Sequence, residues 1–164
     1  MESHSPLREG GIAGIIGAST VALWFLMVDS IAGRPLFTPA ILGASLFDLL
    51  GSGFGGRGLA MHVGAYTVIH FAAFITIGVL AAYLMNVLDR KPSLLVGFAT
   101  LFVVFEVCVF AVVGLLSRSP LWGTIAWYQL GAANLLAAFA MGRYLWRAHH
   151  PAEDERWVRA LESR

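Results

Sequence analysis

The run "GIAGIIGASTVALWFLMVDSIA", Gly11 to Ala32, decides the fold class. Its only charge is Asp29, near its end, and about 22 residues at about 1.5 Å each suffice to cross about 30 Å of hydrocarbon. Three comparable apolar runs follow, from Ala60 to Val87, Leu94 to Leu116 and Leu121 to Leu145. Over the whole 164 residues, 58% are hydrophobic and 13% charged, and the mean hydropathy is +0.74. Such a composition does not belong to a soluble domain. It predicts an all-α protein: an antiparallel four-helix transmembrane bundle over residues 1–148, with helices at about 11–32, 60–87, 94–116 and 121–145. The connections "DRKPS" and "SRSP" are short enough to make consecutive helices antiparallel neighbours.

The first run begins too late and is too long for a signal peptide, so it reads as a retained helix. A lone Cys108 in mid-span excludes a disulfide framework and thiol-pair redox chemistry. Net charge of +1, without a basic cluster, predicts no nucleic-acid partner. If both termini share a side, that side holds Arg8, Arg90, Lys91, Arg143, Arg147, Arg156, Arg159 and Arg164. The other holds Arg34, Arg57 and Arg118. This imbalance places both termini in the cytoplasm. Trp122, Tyr83, Tyr144 and Trp146 fall near helix ends, as headgroup-level aromatic residues do.

Helix one opens "GGIAGIIGAS", in which Gly10 and Gly14, Ala13 and Gly17, and Gly14 and Ala18 are small-residue pairs four apart. Such pairs let another helix backbone come close. Gly131, Ala132, Ala133, Ala137 and Ala138 make helix four similarly smooth. The long connection after Ala32 is too apolar for a solvated loop. Thr38 as N-cap and Pro39 at the first position predict a short helix reaching Leu50, lying in the outer interface or capping the bundle. Gly51, Gly53 and Gly56 match the letters of a dinucleotide fingerprint but lack the strand before it, so nothing follows from them. Residues 149–164 read as a cytoplasmic tail with an amphipathic helix bearing Trp157, Val158 and Leu161 on one face. His149 and His150, adjacent and without further ligands, make no metal motif.

Ionisable groups inside a span cost on the order of 2.5 to 3.5 kcal/mol and turn toward partners. Counting from the outer boundary puts His70 and Glu106 each about 15 Å deep, with Gln129 near that level. The expected intramembrane cluster is therefore His70, Glu106, Gln129, Tyr66 and Asn134, with a His70–Glu106 bond joining helices two and three. Asp29, His62 and Arg34 form an outer layer. His62, Tyr66 and His70, four apart, would extend a polar track toward Glu106. Below Glu106 no polar path continues. His62 and His70 stand about 12 Å apart along one helix, too far to share an ion, so no metal site is expected. Either imidazole alone suits the axial position of a chlorophyll-type pigment or of a haem completed by another chain.

"VDSIAGRPLFTPAILG" (Val28 to Gly43), "YTVIHFAAF" in helix two and "FEVCVF" in helix three resemble a group of small bacterial four-helix integral membrane proteins to which no activity is attached. The resemblance implies a bacterial inner-membrane location and that Asp29, Arg34, Pro35, His70 and Glu106 belong together. No nucleophile with an aligned base and no HExxH-type motif occurs. The leading expectation is a noncatalytic accessory subunit of a larger membrane complex, respiratory or photosynthetic, whose partners are lipids and other integral membrane subunits. The alternatives are a small proton-coupled transporter or membrane enzyme using His70 and Glu106, and a pigment- or haem-ligating electron-transfer subunit.

Overall fold

The structure, a computed structural model, describes residues 5–51, 58–88 and 127–149 together with Val103, Val104, Glu106, Val107, Cys108 and Ala111. Among the described residues every regular element is an α-helix and no strand occurs. Helix α1 runs Pro6–Ile31, α2 Phe37–Leu49, α3 Leu59–Leu88 and α4 Trp127–His149. The six described residues of the third apolar run are also helical. The limits expected for that run, the start of the fourth near Leu121, both short connections, Gly53, Gly56, Trp122 and the amphipathic tail lie outside the described residues. So do most of the charges used to orient the chain.

Helix α1 begins where Pro6 takes the first position, whose N–H has no intrahelical partner, and Glu9 places a carboxylate in the first turn. Its end is a Schellman cap. Gly33, in the left-handed region at φ 70°, donates its N–H to the Ser30 carbonyl at 3.0 Å, and Arg34 donates to Asp29 at 2.8 Å. Pro35 follows and cannot continue the helix. Leu36, at φ 67°, reverses the chain into α2.

Small residues set the packing. Gly10, Ala13, Gly14, Gly17 and Ala18 are all buried on one side of α1. A Cβ on Gly10 would collide with the backbone of Gly78 and Val79, and one on Gly14 would stand 2.5 Å from the Ile75 Cα and the Phe74 carbonyl. Gly78 returns the contact against Gly10 and Gly14. Helices α1 and α3 are thus antiparallel at near backbone contact, the arrangement that small residues four apart permit. Gly17 receives the Phe74 ring and the Met141 thioether, so α1 also packs on α4. The core is built from Ala13, Ala18, Val21 and Phe25 of α1, Phe74, Ala81 and Ala82 of α3, and Ala133, Ala137, Met141 and Leu145 of α4.

Helices α1 and α3 are long and apolar enough to cross a membrane. Only a third and about a fifth of their most apolar windows are buried, with Ile31, Leu23, Val68 and Leu80 facing outward. A helix in the core of a soluble protein is covered on most sides, so these two point to a membrane location.

Candidate functional site

At the end of α1, Asp29 is buried and its carboxylate turns toward α2. Oδ2 accepts the backbone N–H of Thr38 at 2.7 Å and Oδ1 accepts the Thr38 hydroxyl at 2.8 Å. Thr38 is therefore not the N-cap. It is the second residue of α2, behind Leu36 at the cap position, and the acceptor its orphan N–H requires comes from the preceding helix. The left-handed turn at Leu36 explains the difference, because it brings the start of α2 back over Asp29. Arg34 lays its guanidinium 4.0 Å above the Phe37 ring. Pro39 follows Thr38 in the first turn, where its missing N–H costs nothing.

Helix α2 packs on the start of α3. Gly43 lies directly against the backbone of His62, and the Phe47 ring stands 5.6 Å from the His62 imidazole. His62 thus belongs to the α2–α3 contact, while the Asp29 carboxylate is taken by Thr38.

The expected bond between His70 and Glu106 is not the one formed. His70 Nε2 lies 3.1 Å from the Ala18 carbonyl oxygen on α1. A carbonyl only accepts, so Nε2 carries the proton and Nδ1 presents its lone pair to the Tyr66 hydroxyl, 3.4 Å away, a long and weak bond. The Tyr66 ring stacks on the imidazole at 5.4 Å and Phe74 meets it at 4.8 Å. Glu106 instead accepts from the Asn134 amide, 3.3 Å from Oε1, with Asn134 buried among the alanines of α4. The expected cluster therefore divides into Tyr66–His70 against α1 and Glu106–Asn134 joining the third run to α4. Gln129 is half-buried and bonds to neither among the described residues.

The polar track ends at His70, where α1 supplies the next partner. The pigment or haem role considered for His70 meets the same obstacle, since both of its ring nitrogens face groups of this chain. His62 is half-buried, with the Phe47 ring tilted at 48° to its imidazole, and it does not line the groove between α1, α2 and α3. Among the described residues no group of three or more histidine, cysteine, aspartate or glutamate side chains is placed to hold a metal ion.

Sequence reasoning missed two further features. One is the buried Trp24 indole N–H, which has no acceptor among the described residues. The other is a groove of about 170 Å³ between α1, α2 and α3. Compared with known proteins, the chain matches no family, no curated protein and no solved structure.

Proposed function

We propose that this chain is a multi-pass integral membrane protein of the bacterial inner membrane, a four-helix bundle with both termini cytoplasmic, that serves as a noncatalytic accessory subunit of a larger membrane assembly. One observation carries the reading: Asp29, His70 and Glu106 each bond to another helix of the same chain. Asp29 fixes α2 to α1, His70 fixes α3 to α1, and Glu106 fixes the third run to α4. A transporter or enzyme relying on the His70–Glu106 pair needs those groups to meet, and here each has a different partner. Large apolar side chains face outward on α1, α3 and α4, among them Leu23, Val68, Leu80, Leu135 and Phe139. Such a surface fits lipid and the helices of other subunits.

The test is mild-detergent extraction from native membranes followed by native mass measurement. The expected result is co-purification with one or more integral membrane subunits in fixed ratio. A monomer with no protein partner overturns the proposal. If the His70→Leu and Glu106→Gln variants keep the folded yield but lose a transport or enzymatic activity of the native membrane, the alternative reading takes its place.

A further inference from the structure

The groove between α1, α2 and α3 is walled by Ala22, Leu26, Leu36, Pro39, Val63 and Phe71, and also by four residues with polar side chains, Thr38, Tyr66, Thr67 and His70. Each of the four is turned away to the chain's own atoms. Thr38 donates to Asp29, Thr67 donates to the Val63 carbonyl at 2.7 Å, Tyr66 faces His70, and His70 donates to Ala18. A guest inside finds a mostly hydrocarbon wall whose donors are already engaged, which disfavours a hydrogen-bonding ring and favours a flexible apolar chain. From Val63 to Phe71 the groove follows α3 for about 12 Å, most of the roughly 15 Å depth of one leaflet's hydrocarbon.

The mouth is chemically different. Leu36 belongs to the turn that carries Arg34, just beyond the last residue of α1, and Pro39 to the first turn of α2 that follows it. The neighbouring carboxylate, Asp29, is spent on Thr38, and Arg34 has no ion-pair partner among the described residues. Its exposed guanidinium keeps a planar set of N–H donors suited to a phosphate oxygen.

We propose that the groove is a binding site for one anionic phospholipid, with an acyl chain between α1, α2 and α3 and the headgroup phosphate on Arg34. This requires the chain to reside in a bilayer but not to have a protein partner, so it stands apart from the accessory-subunit reading.

The full-length chain, purified in mild detergent, is incubated with equal amounts of phosphatidylglycerol and phosphatidylcholine of matched acyl chains, and retained lipid is counted by native mass spectrometry. Preferential retention of a single phosphatidylglycerol, by about fivefold for one arginine near the surface, is expected. Arg34→Gln brings the two lipids to parity. Ala22→Phe and Val63→Phe, which fill the groove from its open side, reduce retention of both lipids while circular dichroism still reports the helices. Dihexanoyl phosphatidylglycerol, with the same headgroup but short chains, competes poorly with the unaltered protein. Equal retention of the two lipids, a preference that survives Arg34→Gln, or full competition by the short-chain lipid each overturns the site. A second copy of the chain or another protein released from the groove with no bound lipid does so as well.

Discussion

At the scale of single residues, the Asp29 carboxylate does work that an ordinary capping residue cannot, because it acts from another helix. Thr38 buries both an N–H and a hydroxyl, and Asp29 supplies an oxygen to each. Asp29→Ala strands both donors away from water and is expected to destabilise the fold by about 2 kcal/mol or more, whereas Thr38→Val removes only the hydroxyl bond and costs about 1 kcal/mol. Unfolding midpoints in mixed micelles of increasing dodecyl sulfate check the order, and equal midpoints for Asp29→Ala and the unaltered protein would contradict the clamp. His70 is a milder case. Its bond to Ala18 joins two helices already held at backbone contact, and interhelical bonds of this kind average about 0.6 kcal/mol. His70→Leu, similar in bulk, should therefore shift the midpoint only slightly. A large loss on that substitution would mean that the imidazole has a further partner.

At the scale of helices, glycines mark where backbones meet and where the chain turns. Gly14→Leu drives a side chain into the Ile75 backbone, an atom that cannot rotate away, and should separate α1 from α3. Gly11→Leu, with nothing within 4 Å of its Cβ position, should leave the fold intact. The same micelle titration distinguishes them. Gly33→Ala puts a Cβ on a left-handed residue and should cost about 1 kcal/mol without altering any packing contact. These helices and their contact face were legible in advance, since an apolar run fixes length and a four-residue spacing of small side chains fixes a face. The pairing of His70 was not. Counting residues gives depth along an axis at 1.5 Å a step, but it says nothing about rotation around that axis, and rotation is what sends His70 to Ala18 rather than to Glu106. A usable signal was present: His70, Phe74 and Gly78 are spaced four apart, so the stripe carrying His70 is the one that meets the glycines of α1. The Asp29–Thr38 clamp had no such signal, because it depends on the left-handed Leu36, a conformation that leucine's own preferences oppose.

For the molecule as a whole, the decisive property is what surrounds it. Ala73 lies at the middle of α3 and is exposed, as is Val68 a little more than one turn earlier. In a soluble protein, arginine at an exposed helix position meets water and alters stability by no more than about 0.5 kcal/mol. At the centre of a membrane span the same charge costs about 2.5 to 3.5 kcal/mol on insertion scales, and the middle of a 30-residue helix is where the side chain is furthest from either headgroup layer. Ala73→Arg should therefore sharply reduce the fraction of chain retained in membranes washed with alkaline carbonate, and Val68→Arg, nearer one end and able to reach toward the headgroups, should reduce it less. Lysine at Gly58, before the first turn of α3 and outside the hydrocarbon, should leave retention unchanged. Equal retention for all three variants would mean that water bathes the outer face of α3. Its exposed valines, leucines and isoleucines would then require a protein cover, and both the lipid groove and the membrane-subunit role would lose their physical basis.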